Sequence, residues 1–324
     1  MRLIRDIDAL PEQIRGGALS IGNFDGVHRG HARLAERLVR SARCVDGPAV
    51  VFTFDPSPTK ILHPEAAPAL LSWIERRAEL LGGLGVDAVV AYPTDHALLE
   101  LTPEQFFRRI IVEKLGARAM VEGSNFRFGH RRAGDTAKLR ELCQAEGIDL
   151  DVVEPIELLG HTVSSSRIRR LIAAGDLEAV NRMLTEPYRI RGIVSYGSRR
   201  GNTLGYPTAN VERVDNLLPG EGIYAGRAYV DGRAWGAAVS VGPNPTFGEV
   251  TRKVEAFLLD FQGDLYGRPL QVEFVARLRD IVRFDSRDEL IAQMDVDVEQ
   301  TRRMLGLGAE ADAELAPTSQ RNES

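Results

Sequence analysis

Between Ala18 and Val153 the chain alternates apolar, β-rich runs with helical patterns, and beyond Pro187 that alternation stops. Ala18–Ile21, Ala49–Phe54, Ala88–Tyr92, Arg118–Glu122 and Leu150–Val153 read as strands. Between them lie helical patterns through Leu34, Leu38 and Val39, around Trp73–Leu84, and over Thr136–Glu146. A further helix is expected at Thr102-Pro103-Glu104-Gln105, with a capping threonine, proline at the first helical position and a glutamine to close the box. Repeated β-α order is satisfied by a parallel sheet with helices on both faces. Ligands of such sheets sit outside the carboxyl ends of the strands, so chemistry is expected just after each strand.

After Pro187, five strand-like runs follow with hairpin spacing: Tyr188–Val194, Ile223–Val230, Trp235–Val241, Val254–Phe261 and Gln271–Leu278. Their links are rich in Gly, Pro and Asp, which points to a small antiparallel sheet or barrel. Ser286-Arg287-Asp288-Glu289 predicts a capping box opening a last helix, with Leu290, Met294 and Val298 on one face. From about Gly306 the composition turns to aperiodic Ala, Glu, Asp, Ser and Pro, as in a disordered tail. The expected organisation is an α/β domain over 1–186, a small β domain with a terminal helix over 187–305, and a tail over 306–324.

Composition excludes several classes. A net charge of -5 argues against broad nucleic-acid binding. Cys44 and Cys143 stand in helical patterns without a CxxC pair, so neither a disulfide framework nor a structural zinc site is expected. The N-terminus lacks the apolar core of a secretion signal, and no apolar run approaches membrane-spanning length. A cytoplasmic protein that binds neither nucleic acid nor membrane is the expectation. Gly83-Leu84-Gly85-Val86-Asp87-Ala88 imitates a dinucleotide fingerprint, but it follows a helix and precedes a strand, so it reads as a helix C-terminus.

Two segments carry phosphate chemistry. Gly22-Asn23-Phe24-Asp25-Gly26-Val27-His28-Arg29-Gly30-His31 follows the first apolar strand and enters a helix. Backbone N–H groups at a helix start favour an anion, and His28 and His31, three apart, share a side. Gly30 between them permits close approach of a phosphate. No third ligand stands at metal spacing, which disfavours a metal site for the pair. Ser164, Ser165, Ser166, Arg167 and Arg169 open another helical pattern and form a second anion cradle; taken alone, an N-cap with solvated arginines explains them as well.

The second segment runs from Gly197 through Gly201 and Gly205 to Pro207-Thr208-Ala209-Asn210, without the Gly-Lys-Ser/Thr of a Walker A loop. Thr208 and Asn210 offer hard oxygen ligands of the kind magnesium prefers beside nucleotide phosphates. A β-hairpin loop with structural glycines is the plain alternative. Glu255 interrupts an otherwise apolar strand, where a solvated face would also account for it.

The histidine motif with its downstream serine-rich basic segment resembles the nucleotidylyltransferase superfamily. Thr53-Phe54-Asp55-Pro56 and Gly123-Ser124-Asn125-Phe126-Arg127-Phe128-Gly129 narrow that likeness. Together they look like the FMN adenylyltransferase module of bacterial bifunctional riboflavin kinase/FAD synthetases. Pro-Thr-Ala-Asn, Gly222-Ile223-Tyr224, Gly242-Pro243-Asn244-Pro245-Thr246-Phe247 and Val254-Glu255 are similar to that family's kinase module.

The resemblance implies a Rossmann-like N-terminal α/β/α domain and a C-terminal antiparallel barrel, acting on riboflavin, FMN and ATP with Mg2+. It implies that Gly22, Phe24, Asp25, His28, Gly30, His31, Ser164, Ser165, Ser166, Arg167 and Arg169 bind ATP. Asp55, Asn125, Phe126 and Phe128 would hold the flavin in the first domain. In the kinase, Gly197, Gly201, Gly205, Thr208 and Asn210 would bind Mg–ATP and Glu255 would act as base. Ser166 stands where relatives usually carry Thr, and Asn202 where they often carry a basic residue. Two other readings remain open here: retention of only one activity, and a non-catalytic flavin-binding protein. Separate assays of the two steps distinguish them, and a sensor has no need of Glu255.

Overall fold

The computed structural model describes residues 1–158, 160–196, 205–247 and 251–307. They divide into two compact units: Met1–Arg169 with Arg182–Glu186, and the described part of Arg170–Asn181 with Pro187–Ser324.

The first unit holds a parallel sheet of β1 (Arg2–Ile4), β2 (Ala18–Ile21), β3 (Ala49–Phe54), β4 (Ala88–Tyr92), β5 (Ala119–Gly123) and β6 (Asp149–Val153), in the order β1-β4-β3-β2-β5-β6. Its helices are α1 (Arg29–Cys44), α2 (Pro58–Leu62), α3 (Ile74–Gly83), α4 (His96–Leu99), α5 (Pro103–Phe106) and α6 (Thr136–Glu146). Alternate strand residues enter cores on opposite faces. Leu19, Phe52, Val90 and Met120 pack on one side, and Ala18, Val51, Val89 and Val121 on the other. Burial on both faces is why these strands read as continuous apolar runs.

The Thr102 capping box forms as expected, with both reciprocal hydrogen bonds present. Beyond it the helix widens into a π-helical stretch, Phe107–Lys114. The glycine-rich imitation at 83–88 is a helix end: α3 stops at Gly83 and Gly85 turns back with φ +89°. The edge strand β1 was not anticipated, since three residues flanked by charge carry too little periodicity to read.

From β2 the next strands, β3 and β4, run to one side, whereas β5 and β6 lie on the other. This reversal is the topological switch point, where a crevice opens at the strands' carboxyl ends. The β2–β5 register spans only Ala18↔Ala119 and Leu19↔Met120. After β6 come a two-stranded hairpin, β7 (Glu157–Leu158) with β8 (His161–Thr162), and helices α7 (Ser165–Ala174) and α8 (Leu177–Met183).

The second unit is a closed antiparallel barrel of β9 (Arg189–Ser195), β10 (Thr208–Glu212), β11 (Gly222–Val230), β12 (Arg233–Gly242), β13 (Lys253–Leu258) and β14 (Pro269–Arg279). It is followed by α9 (Arg287–Leu305). Ala209, Val211, Val254, Ala256 and Val239 are buried and fill the interior, while alternate residues face outward. Gly226 permits the β11–β14 pairing, because a Cβ there would lie 2.0 Å from the Glu273 carbonyl oxygen.

Three expectations are corrected. The barrel has six strands and not five; the strand absent from the expected runs is β10, which is short and follows directly on Pro207. The fourth run ends at Leu258, with Asp260 turning at φ +59°. The box at Ser286 is half made: Ser286 Oγ accepts from Glu289 N at 3.2 Å, but the Glu289 carboxylate takes Asp285 N at 3.3 Å. The last helix stops at Leu305, with Gly306 left-handed. Residues 308–324 of the expected tail lie outside the described residues.

Candidate active sites

A cavity of about 660 Å³ opens at the carboxyl ends of β2, β3 and β5. Gly22, Phe24 and His31 line one part of it, and Asn125, Phe126 and Phe128 another. Phe126 and Phe128 stack with centroids 5.4 Å apart, and Phe106 lies 6.2 Å from Phe128. Such an aromatic slot suits a flat ring. Arg127, Arg131 and Arg132 add a cationic wall.

The turn from β2 into α1 uses left-handed backbone at Phe24, Gly26 and Val27 (φ +47°, +82° and +38°). It delivers His28 as the N-cap, whose Nδ1 accepts from His31 N at 3.3 Å. Acceptance at Nδ1 leaves the neutral ring's proton on Nε2. The two imidazoles stack at 3.6 Å with 15° between planes. A Cβ at Gly30 would meet the His28 ring at 3.1 Å, so glycine here leaves room for the imidazole. Burial pushes His28 down to about 4. It also holds His31 well below its ordinary range, helped by His28 and Arg77. Both rings are therefore neutral hydrogen-bonding groups near neutral pH. His31 Nδ1 is buried with no hydrogen-bond partner.

This burial predicts acid sensitivity. Unfolded His28 titrates near 6.5 and folded His28 near about 4, so the unfolded chain binds more protons between those values. Stability is fully present above the higher value and is lost as pH falls through the window, by roughly 3 kcal/mol in all. Urea unfolding at several pH values, compared with His28→Gln, checks this. The variant should show a shallower pH slope; equal slopes would remove His28 as the cause.

Asp25 is 4% exposed and anchors the surrounding loops. Its carboxylate accepts from Leu71 N and Ser72 N at 3.0 Å, from Ser72 Oγ at 3.1 Å, and from Arg77 and Arg169. Ser165 Oγ donates to the Asp25 carbonyl at 3.0 Å. Ser164 Oγ accepts from Arg167 N at 3.3 Å and so caps α7. Arg167 Nε is buried without a partner, and Ser166 is exposed.

Of the residues implied for ATP, Gly22, Phe24 and His31 therefore line the cavity itself. Asp25, Ser165 and Arg169 are linked to one another by hydrogen bonds, with Ser164 and Arg167 on the same helix start. The Asp25 carboxylate is occupied by protein donors, which makes it an organiser of the loops. Of the residues implied for the flavin, Asn125, Phe126 and Phe128 are brought together, whereas Asp55 is exposed and outside the lining.

Sequence reading missed Glu122, which is 2% exposed and lines the same cavity. Its carboxyl accepts from Ile21 N at 2.7 Å, and burial raises it well above the usual carboxyl range. The available signal was a lone acid directly after the apolar run Ala119–Val121.

A second, smaller cavity of about 120 Å³ lies on the outer face of the barrel, with Leu290, Met294 and Val298 of α9 in its lining. In the barrel register Asn210 stands opposite Glu255, which stands opposite Ser240; Thr208 stands opposite Phe257. Directly opposed residues share a face, so Thr208, Asn210 and Glu255 point to the same side. Thr208 and Glu255 line the cavity; Asn210 flanks Glu255 without lining it. Gly205 turns at φ +85° just before Tyr206, another lining residue, whose hydroxyl bonds Asp295 and is pushed up to about 12, burial first and that bond second. Gly197, Gly201 and Asn202 lie outside the described residues.

Also missed was the pair that anchors α9. Arg279 forks onto buried Asp297, with Nε–Oδ1 at 2.9 Å and Nη2–Oδ2 at 2.7 Å, and Gln293 donates to Asp297 at 3.0 Å.

A parallel α/β unit with a cleft at its switch point, followed in the chain by a closed barrel with a carboxylate in its cleft, defines a two-module transferase. A model of the FAD synthetase family matches residues 10–167, and one of the riboflavin kinase family matches residues 184–305. The bifunctional riboflavin kinase/FMN adenylyltransferase of Pseudomonas fluorescens is 37% identical over 305 residues, covering 94% of this chain and 98% of its own. That of Escherichia coli K12 is 34% identical over 309 residues, covering 95% and 99%. A crystal structure described as a macrolide-efflux protein from Streptococcus pneumoniae superimposes with a TM-score of 0.82 at 29% identity, covering 93% of this chain and 98% of that one.

The chain belongs to the bifunctional riboflavin kinase/FMN adenylyltransferase family. It is an enzyme of flavin-cofactor synthesis whose substrates are riboflavin, FMN and ATP. Among the described residues, no helix is long and apolar enough to cross a membrane.

Proposed function

We propose that residues 1–186 form the adenylyltransferase and residues 187–305 the kinase, and that the two clefts carry these steps separately. The supporting observation is their chemical difference. The larger cleft presents the neutral imidazole of His31, stacked on His28, whereas the smaller one presents Glu255 and Thr208, with Asn210 flanking Glu255. Both steps draw on ATP, and the cytoplasm is their proposed setting.

In the first cleft a phosphate oxygen of FMN attacks the α-phosphorus of ATP. The new P–O bond forms as the bond to the β-phosphate oxygen breaks, and pyrophosphate leaves. A phosphate monoester has a second pKa near ~6, so the nucleophile is already ionised and needs no base. His31 and His28 donate N–H bonds to the charge that develops on the leaving group. The Gly22–His31 turn and the Ser164–Arg169 segment hold the triphosphate, their spacing set by Asp25 through Ser165 and Arg169. Asn125, Phe126 and Phe128 take the flavin ring.

In the second cleft Glu255 accepts the proton of the ribityl 5′-hydroxyl as that oxygen attacks the γ-phosphorus and ADP departs. Thr208 Oγ1 and Asn210 Oδ1 fit a hard divalent cation in donor chemistry. They would hold Mg2+, which when bound neutralises phosphate charge.

Pure protein incubated with riboflavin, ATP and magnesium should accumulate FMN first and FAD after it. Supplied FMN should yield FAD without riboflavin. Unchanged riboflavin would remove the kinase reading, and FMN that persists would remove the adenylyltransferase reading.

A further inference from the structure

Glu122 sits near the end of β5, where the register with β2 has already stopped at Leu19↔Met120. Beyond that point Ile21 N–H is taken at 2.7 Å by a side chain, the Glu122 carboxyl. Glu122 also belongs to the cavity wall, together with Gly22 and Asn125. No ion pair involves it among the described residues. A buried ionised carboxylate without a cation is strongly disfavoured. Accordingly burial raises Glu122 well above the usual carboxyl range, which favours the neutral carboxylic acid.

A carboxylic acid keeps acceptor capacity for Ile21 N–H and adds one O–H donor. Glu122 lines the same cavity as Phe126 and Phe128, so this donor belongs to the wall around a ring that lodges there. Flavin and adenine rings both carry acceptor atoms on their edges. We infer that Glu122 is a specificity-determining residue of the larger cleft, hydrogen-bonding an acceptor atom on the edge of the heteroaromatic ring that lodges there. The inference rests on the adenylyltransferase reading and goes beyond it by naming a contact to the ring.

The test measures KM separately for FMN and for ATP in FAD formation by the full chain. Glu122→Gln retains a neutral acceptor and donor, and both KM values should stay within about threefold of wild type. Glu122→Met retains length and loses the polar group; it should raise one of the two KM values about tenfold or more and leave the other within about threefold. A rise confined to FMN identifies the flavin as the ring contacted, and a rise confined to ATP identifies adenine.

Unchanged KM values in Glu122→Met, or equal rises in both, would overturn the inference and leave Glu122 a structural support for Ile21. Thermal unfolding and the riboflavin kinase rate verify that the variant is folded. Should Glu122→Met fail to fold, Glu122→Ala is read by the same two outcomes. If wild type itself makes no FAD from FMN, the underlying reading fails, and that result is distinct from either outcome above.

Discussion

Glu255→Gln is expected to cut FMN formation from riboflavin by about 10²- to 10⁴-fold, the usual worth of a general base. FAD formation from supplied FMN should continue within about twofold of wild type. The argument is chemical before it is structural. An alcohol attacking a γ-phosphorus must lose its proton, and glutamine preserves the shape of glutamate while removing its basicity. The barrel register then supplies the geometry: Glu255 is flanked across the strands by Asn210 and Ser240, and shares a cavity with Thr208. Measuring the two products separately decides the matter. Loss of both activities would break the two-site scheme, and an unchanged kinase rate would remove Glu255 as base.

His31→Ala should have the converse effect, lowering adenylylation about 10²- to 10³-fold while the kinase rate stays within about twofold. His31 lines the larger cavity, and its ring is held by stacking on His28. As a lining residue of that cavity, its neutral imidazole has hydrogen-bonding capacity for a ligand. Alanine removes that capacity and leaves the α1 backbone intact. Single-turnover formation of FAD from FMN, with a thermal unfolding check, reads the result; adenylylation at the wild-type rate would exclude the histidine pair from transition-state stabilisation.

Much of the fold was legible because its signals are local. Ala49–Phe54, Ala88–Tyr92 and Thr136–Glu146 were read with the bounds they have, since apolar runs and helical periodicity are visible within ten residues. The Thr102 box formed for the same reason. At Ser286 an equally good local pattern formed only in part, because Glu289 found a competing donor in Asp285 N. Strand β10 escaped notice although it carries Thr208 and Asn210. Its alternation is only five residues long, and pairing with β9 and β13 stabilises it more than its own propensity does.

The candidate sites divide along the same line. Phe126 and Phe128 are near neighbours in sequence, and so are His28 and His31; each pair meets as its spacing suggests. The partners of Asp25 could not be read this way, since Arg169 is 144 residues distant in the chain. Nor could the anchoring of Asp297 by Arg279, or the burial that raises Glu122 and lowers both histidines.

The amino-acid sequence by itself determined the strand and helix alternation, the change of architecture near Pro187, the turn that opens α1, and the residue types available for two kinds of phosphate transfer. All of these follow from backbone and side-chain preferences acting over a few residues. Only the tertiary structure decided that β2 lies between β3 and β5, that Asn210 stands beside Glu255 on the neighbouring strand of a closed barrel, and that Glu122 in the cavity wall takes the Ile21 N–H. Strand pairing and desolvation join groups remote along the chain, and no local pattern encodes which remote groups will meet.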